Sequence, residues 1–223
     1  MFIFSNLATS IDGKIATHSR VFFPLGTPYD RKHMQVLRRK SDIVLFGAST
    51  LREFKRPCIV KGKAAIGIKK QPANAILSSG LEGISPDWPF FQSDEFHRIL
   101  FVNETAKKSV LKKFESRSEI VILKKDTPKL STVHQIVLAL EKRGYKKLLV
   151  EGGGGVMWDF ARENWIDEYN LTLTPKVVGG TTSPTLVDGL GFEPAETLNL
   201  KLKSIKKVKD ELYLVYRKTE IRG

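Results

Sequence analysis

The sequence predicts an α/β fold with a mostly parallel central sheet, helices on both faces, and antiparallel strands at the C-terminal edge. Apolar segments too continuous to leave one face in water alternate with helical patterns, and residues 42–47 are the clearest of them. Such alternation favours a parallel sheet covered by helices. Near the end, strand patterns at residues 198–208 and 212–217 flank a turn at residues 209–210, which predicts an antiparallel hairpin. The chain has 223 residues, and we expect one domain over residues 1–223.

The first half of the chain alternates strand and helix patterns. A buried first strand at residues 2–8 leads into a loop in which Asp12-Gly13 is a strong turn signal. Residues 29–40 have apolar side chains at helical spacing, with three basic residues at the end where they suit the helix dipole. Further strand patterns lie at residues 42–47, 74–78 and 98–102.

The second half shows helix boundaries more clearly. Asn103 is the predicted N-cap of a helix that runs to Phe114. Ser131 is the predicted N-cap of a second helix, which Gly144 ends. The remaining patterns are strands at residues 119–123, 147–150 and 166–175 and a helix at residues 156–165.

The composition limits the classes of partner. With 37 Lys and Arg residues against 24 Asp and Glu, the net charge is +13, which attracts phosphorylated metabolites, dinucleotides and nucleic acid alike. The basic residues are dispersed rather than gathered in one patch, so we expect a solvated basic surface and no nucleic-acid partner, although a nucleic-acid-binding protein stays an alternative. No segment is apolar for long enough to cross a membrane, and the single cysteine, Cys58, fits a reducing cytoplasm.

The segment at residues 147–156 is the strongest candidate site. A short apolar strand pattern ends at Glu151, four glycines follow at residues 152–155, and a helical pattern begins. Glycines carry no Cβ, so a phosphate could lie against backbone N–H groups at the positive end of the helix. The spacing matches neither the dinucleotide fingerprint nor the P-loop. The alternative is a turn whose glycines only bring helix and strand close together.

The order of several motifs resembles one family. Five segments are similar to the successive signatures of the RibD C-terminal family, namely residues 8–16, 41–50, 150–154, 166–168 and 174–180. These are the riboflavin-biosynthesis pyrimidine reductases, which have a dihydrofolate-reductase-like fold. The resemblance implies a homodimer that uses NADPH to reduce the ribosylamino group of a pyrimidine 5′-phosphate to a ribitylamino group. The zinc deaminase domain that accompanies many relatives needs several cysteines, so we expect no metal site here and any deaminase on another polypeptide.

The resemblance also assigns site residues. The cofactor contacts of the family would fall on Ala8, Thr50, Ser79, Gly153, Gly154 and Gly155. Its substrate contacts would fall on Ser19, Arg38, Ile59, Lys61 and Glu151. An arginine can fork onto a phosphate, and a carboxylate can accept from ribosyl hydroxyls. The alternatives are that Arg38 is a surface residue at a helix end and that Glu151 only caps nearby N–H groups.

The proton donor and the exact substrate stay open at this point. Asp12 and Glu151 are the carboxylates near strand ends that we predict to be catalytic, and the alternative for Asp12 is a structural role in its turn. The segment from Thr50 to Pro57 is one residue longer than in the family and lacks its pair of aspartates. The substrate could therefore be the aminated or the deaminated pyrimidine, and a dihydrofolate or pterin reductase on the same fold is the alternative.

Overall fold

The computed structural model describes residues 1–21, 23–127 and 130–219. Its strands are β1 (Phe2–Thr9), β2 (Ile43–Gly47), β3 (Ala73–Ser78), β4 (Arg98–Asn103), β5 (Glu119–Leu123), β6 (Lys147–Val150), β7 (Glu168–Leu173), β8 (Leu200–Val208) and β9 (Glu211–Lys218). Its α-helices are α1 (Pro28–Lys40), α2 (Ala48–Phe54), α3 (Pro89–Gln92), α4 (Lys108–Leu111), α5 (Thr132–Lys142) and α6 (Gly154–Arg162). Strands and helices alternate through most of the chain, as predicted.

The chain divides into two compact units. The first unit contains Met1 and Gln35–Leu149, and the second contains Phe2–Met34 with the described residues from Val150 onward. In the first unit the strand order is β5-β4-β3-β2-β6. The pairs β2–β3, β3–β4 and β4–β5 are all parallel. Parallel strands must be covered on both faces, which explains why every residue of β2 is buried.

The second unit contains the antiparallel strands. Its order is β1-β7-β9-β8, with β1 and β7 parallel and the pairs β7–β9 and β8–β9 antiparallel. The predicted hairpin at the C-terminal edge is confirmed, and Lys209 in its turn has a positive φ of 54°. A register shift lies between Leu202 and Ser204 of β8. The predicted mostly parallel sheet with antiparallel C-terminal edge strands is thereby confirmed.

Aromatic side chains fill the core of the first unit. Phe90 packs edge-on against Phe91 with ring centroids 4.8 Å apart, and it packs against Phe46 at 6.0 Å. All three rings are at most 1% exposed. Burial of a ring of this size stabilises a fold by roughly 1.5–3 kcal/mol, so the strands of this unit have a rigid support.

One predicted helix boundary is wrong and another is confirmed. Asn103 is the last residue of β4, where it pairs with Leu123, and α4 begins only at Lys108 without a side-chain cap. The sheet pairing therefore outweighs the capping preference of Asn103. Ser131 does cap α5, since its side chain accepts a hydrogen bond from the backbone N–H of His134, and Gly144 beyond this helix has a positive φ of 81°.

The helices of the described residues are all too short or too polar to cross a lipid bilayer. Across the same residues, no three His, Cys, Asp or Glu side chains converge as they would around a metal ion.

Candidate active site

Two of the four glycines after β6 are required by packing within the second unit. Gly152 has a positive φ of 76°, and a Cβ at this position would lie 2.9 Å from Leu7 Cδ2. A Cβ on Gly154 would lie 2.6 Å from the backbone oxygen of Thr185, and it would overlap the carboxylate of Asp188. A backbone oxygen cannot move aside cheaply. The close approach of the turn to its neighbours therefore explains these two glycines.

The other two glycines face open space. Among the described residues, no atom beyond the chain neighbours and the backbone of the following helix lies within 4 Å of a Cβ built on Gly153 or Gly155. Helix α6 begins at Gly154, with Gly153 as its N-cap residue, and the first N–H groups of a helix have no acceptor within it. The positive end of the helix dipole therefore lies beside a surface without side chains, which fits the phosphates of a dinucleotide cofactor.

Asp12 clamps one loop of the second unit to another. Its carboxylate accepts hydrogen bonds from the backbone N–H groups of Val178 (3.0 Å) and Gly179 (2.6 Å). The bond from Val178, followed by those from the Ser10 side chain and from Gly179, lowers the pKa of Asp12 to about 2. Such a carboxyl is ionised at neutral pH and has no proton to give, so the geometry supports the structural alternative for this residue.

The Asp12 clamp has a testable pH dependence. Because the pKa is lower in the folded chain than its ordinary value of 3.8, the clamp stabilises the fold above pH 3.8. That stabilisation is lost as the pH falls through about 2. Thermal melts between pH 5 and pH 2 are expected to show a component of acid destabilisation that Asp12→Asn lacks and that the exposed hairpin control Asp210→Asn retains. Identical pH profiles for Asp12→Asn and wild type would contradict the clamp.

A buried carboxylate, Glu211 of β9, joins its strand to the loop before α1 in the second unit. It is 1% exposed and accepts from the backbone N–H of Thr27 (2.7 Å), the Thr27 hydroxyl (2.6 Å) and the Tyr213 hydroxyl (2.5 Å). Burial opposes the charge, but the hydrogen bonds from Thr27 and Tyr213 outweigh it and lower the pKa of Glu211. Burial and the neighbouring carboxylate raise the pKa of Tyr213. Glu211 is therefore a fixed negative charge.

A second carboxyl of this unit has the opposite shift. Asp30 in the first turn of α1 is half-buried and hydrogen-bonded to the side chain of Thr172. Burial raises the pKa of Asp30, and the charges of Glu211 and Glu151 raise it further. Sequence reasoning missed this group because an acidic residue in a first helical turn is ordinary, and Glu211 lies far away in the chain.

Three predicted substrate residues lie together in the first unit. Arg38 near the end of α1 donates through Nη1 to the backbone oxygen of Ile59 (3.4 Å), and the backbone N–H of Lys61 donates to Gln35 Oε1 (2.7 Å). Two side-chain amides hold this segment. Asn74 is hydrogen-bonded to the backbone of Cys58, and Gln71 is hydrogen-bonded to the backbone of Val60. Ile59 is 7% exposed, whereas Lys61 is exposed to solvent. The irregular segment is therefore fixed in place.

The other predicted residues lie at strand ends or in the loop after β1. In the first unit, Thr50 is half-buried in α2 just beyond β2, and Ser79 is exposed just beyond β3. In the second unit, Ala8 is half-buried in β1 and Ser19 is exposed, with its hydroxyl 3.1 Å from that of Thr17. Ligands of open α/β sheets bind at the carboxyl ends of the strands, where Ala8, Thr50 and Ser79 lie. The roles of these residues stay predictions.

The parallel strands and the antiparallel hairpin edge define an α/β protein, in which the open glycine turn is the candidate phosphate site. The sequence model of the RibD C-terminal domain matches residues 1–214, and the chain belongs to this family. The chain is 30% identical over 200 residues to the 2,5-diamino-6-ribosylamino-4(3H)-pyrimidinone 5′-phosphate reductase of Aquifex aeolicus, covering 87% of this chain and 86% of the relative. It is 27% identical over 219 residues to the reductase of the same name from Methanothermobacter thermautotrophicus, covering 96% and 97%.

Solved structures share the fold. A pyrimidine reductase-like protein from Corynebacterium diphtheriae superimposes with a TM-score of 0.77 at 22% identity, covering all of this chain and 92% of the other. The bifunctional deaminase/reductase of Thermotoga maritima has a TM-score of 0.76 at 21% identity, and the match spans 97% of this chain but only 56% of that longer protein. Dihydrofolate reductase from Enterococcus faecalis, solved with NADP(H), has a TM-score of 0.52 at 13% identity. The dihydrofolate-reductase-like fold is thereby confirmed.

Proposed function

We propose that this protein is an NADPH-dependent reductase of riboflavin biosynthesis that acts on a ribosylaminopyrimidine 5′-phosphate. The observation that carries the proposal is the near full-length similarity to relatives named as 2,5-diamino-6-ribosylamino-4(3H)-pyrimidinone 5′-phosphate reductases. The reaction converts the ribosylamino group into a ribitylamino group. The aminated pyrimidine in the names of these relatives is the first candidate substrate, and its deaminated counterpart is the second.

The cofactor site of the proposal uses the strand ends and the glycine turn. Gly153, Gly154 and Gly155 would hold the phosphates through backbone N–H groups, and Ala8 would line the site beside them in the second unit. Thr50 and Ser79 are the contacts proposed in the first unit. A reduced nicotinamide cofactor supplies a hydride, and the open space beside Gly153 and Gly155 supports its binding here.

The proposed substrate site includes the segment from Ile59 to Lys61, which is hydrogen-bonded to α1. Arg38 would bind the phosphate or a ring carbonyl, Lys61 would add a second positive charge, and Ile59 would give a backbone contact. Ser19 would donate to the phosphate, and Glu151 would accept from the ribosyl hydroxyls. The hydrogen bond from Arg38 to Ile59 supports a shared role for these two residues.

One segment separates this chain from the family pattern. The segment from Thr50 to Pro57 lacks the family's paired aspartates and carries two cations, Lys55 and Arg56, directly before Pro57. Lys55 ends α2 in a left-handed conformation with φ of 56°, and both side chains are exposed. This segment is therefore the first place to look for a difference in substrate between this chain and its relatives.

The test of the proposal is oxidation of NADPH followed by absorbance, with three candidate substrates in parallel. Turnover of the aminated or deaminated ribosylaminopyrimidine 5′-phosphate supports the proposal and identifies the pathway step. Turnover of dihydrofolate alone, or of no candidate, contradicts it. The same assay with NADH reports the cofactor preference.

Arg38 is expected to determine substrate affinity. Loss of a charge-assisted hydrogen bond to a phosphate weakens binding by roughly 1.5–3 kcal/mol, so Arg38→Ala should raise KM for the pyrimidine phosphate about 10- to 100-fold. The matched control is the neighbouring Arg39→Ala, because Arg39 donates to the backbone oxygens of Ala64 and Ile66. An equal rise in KM for both variants would contradict a specific role for Arg38.

We also propose that the protein is a homodimer and that it acts in the cytoplasm. The strand β8 is last in the order of the second unit, and its Leu202 and Ile205 side chains are 51% and 58% exposed. Large apolar side chains on an edge strand are common where another chain packs. Light scattering after size-exclusion chromatography is expected to give twice the chain mass of 25.1 kDa, and a value of one chain mass would contradict the dimer.

A further inference from the structure

Asp30 is positioned unlike an ordinary aspartate at the start of a helix. Such residues usually point into water, where the helix dipole stabilises their charge. Asp30 is instead half-buried, and its carboxyl group is hydrogen-bonded to the side chain of Thr172, which is 1% exposed on β7. The side chain of Asp30 therefore faces the sheet of the second unit.

The strand register places Asp30 at the ligand-binding end of that sheet. Thr172 pairs with Ala8 of the parallel strand β1, and paired residues of neighbouring strands share one face. Both residues are next to last in their strands, so the carboxyl of Asp30 lies by the carboxyl ends of β1 and β7. Ligands of open α/β sheets bind at this end.

The charges around Asp30 come from three elements. Glu211 faces it from β9 and Glu151 from the segment after β6, while Arg31 of the same helix opposes them. Tyr213 of β9 is also within electrostatic range. Burial first, and then the two carboxylates, raise the pKa of Asp30, whereas hydrogen bonds lower that of Glu211. Two neighbouring carboxyl groups whose pKa values shift in opposite directions are typical of a site in which one is a proton donor and the other stays ionised.

Gly26 gives the Asp30 carboxyl its space. A Cβ at Gly26 would lie 2.5 Å from Asp30 Cγ, so any other residue would displace this side chain. The loop that contains Gly26 is tied down at the next residue, because Thr27 donates twice to Glu211. The position of the Asp30 carboxyl is therefore determined on the sheet side by Thr172 and on the loop side by Gly26.

We propose that Asp30 is the general acid of this site, and that its carboxyl group delivers the proton needed for reduction of the substrate. The inference rests on the proposed function. Reduction of the ring-opened C1′=N group needs a hydride at C1′ and a proton at nitrogen. The electron pair of the C=N π bond takes the proton from Asp30 Oδ, so an N–H bond forms and the O–H bond breaks. Asp30 is left as a carboxylate and regains a proton from solvent.

The first test is a titration that needs no substrate. Carbon-13 NMR of protein labelled at its aspartate carboxyl groups, recorded against pH for wild type and Asp30→Asn, identifies the Asp30 resonance by its loss. The expected result is an Asp30 pKa above the ordinary value of 3.8. A pKa at or below 3.8 would overturn the proposal, whatever the enzyme reduces.

The second test separates acid catalysis from structure by kinetics. Loss of a general acid lowers kcat by roughly 100-fold or more, so Asp30→Asn is expected to do this with little change in KM for NADPH. Wild-type kcat should fall as the pH rises through the Asp30 pKa, and Asp30→Asn should lack this dependence. Asp30→Glu should recover part of kcat. Gly26→Ala, which displaces the carboxyl, should also lower kcat.

The control is Asp210→Asn, which removes an exposed aspartate of the β8–β9 turn and should leave kcat and its pH profile unchanged. Full kcat with an unchanged pH profile in Asp30→Asn would overturn the proposal. Inactivity of wild type towards both pyrimidines would contradict the proposed function instead, and the titration would still decide whether Asp30 holds a proton.

Discussion

Replacement of Glu211 by leucine is expected to destabilise the fold by about 3–5 kcal/mol, because buried donors would lose their acceptor. Glu211 is 1% exposed, and its carboxylate accepts from the N–H and hydroxyl of half-buried Thr27 and from the Tyr213 hydroxyl. Leucine has a similar volume but accepts no hydrogen bond. Each buried donor left without a partner costs about 1–3 kcal/mol.

Chemical denaturation gives the free energy of unfolding for this test. Glu211→Gln should lose less than Glu211→Leu, since an amide oxygen can still accept from Thr27, and a Tyr213 hydroxyl can turn to accept from the amide. Tyr213→Phe removes the donor hydroxyl itself, so no donor is left without an acceptor, and the free energy of unfolding should fall by only about 1 kcal/mol. Equal stability of Glu211→Leu and wild type would contradict the account of Glu211 as the anchor of Thr27 and Tyr213.

Alanine substitutions in the glycine turn are expected to separate packing from cofactor binding. A Cβ on Gly154 would lie 2.6 Å from the Thr185 backbone oxygen, and overpacking of this kind costs about 1–3 kcal/mol. Apart from its chain neighbours and the backbone of its own helix, no atom of the described residues lies within 4 Å of a Cβ on Gly155. Gly155→Ala should therefore fold as wild type does, while its methyl group enters the space proposed for the cofactor phosphates.

Two readouts make this pair of variants decisive. Thermal melts without ligand should show a loss of stability for Gly154→Ala and none for Gly155→Ala. Fluorescence titration with NADPH should show Kd raised about 10-fold or more for Gly155→Ala, which is a loss of about 1.4 kcal/mol. Wild-type affinity for NADPH in Gly155→Ala would rule out the open face of the turn as a phosphate site.

The sequence predicted the glycine turn, but it could not show which of the four glycines are required by packing and which face open space. A phosphate cradle and close packing were the alternatives; close packing explains two of the four glycines, and a cradle at the other two stays a prediction. Gly152 and Gly154 are packed against neighbours, whereas Gly153 and Gly155 face open space. Gly152 is packed against Leu7, and Gly154 against Thr185 and Asp188; all three neighbours lie far from the turn in the sequence, so no local pattern could reveal them.

The proximity of Asp30 and Glu211 was even harder to predict from the sequence. Asp30 has the position of an ordinary first-turn residue, and Glu211 occupies one position of a strand. They meet because Asp30 is hydrogen-bonded to Thr172 of β7, which pairs with Tyr213 of β9, two residues from Glu211. Sequence reasoning therefore proposed Asp12, which carries a clear turn signal, although its carboxylate is held by Val178 and Gly179.

Capping residues in the sequence predicted a helix boundary correctly where that boundary does not depend on strand pairing. The Ser131 cap is confirmed because its hydrogen bond to His134 closes within one helical turn. The Asn103 cap is wrong because β4 pairs with β5 up to this residue. The fold class was predictable for a related reason, since apolar runs such as β2 report burial on both faces whichever strands lie beside them.

The most direct test of the proposed reduction follows the hydride itself. The protein is incubated with NADPH dideuterated at the nicotinamide C4 position and with the aminated ribosylaminopyrimidine 5′-phosphate, and the product is examined by mass spectrometry and NMR. The account predicts one deuterium in the product, located at C1′ of a ribityl chain. A product without deuterium, or deuterium transfer only in a parallel incubation with dihydrofolate, would contradict it.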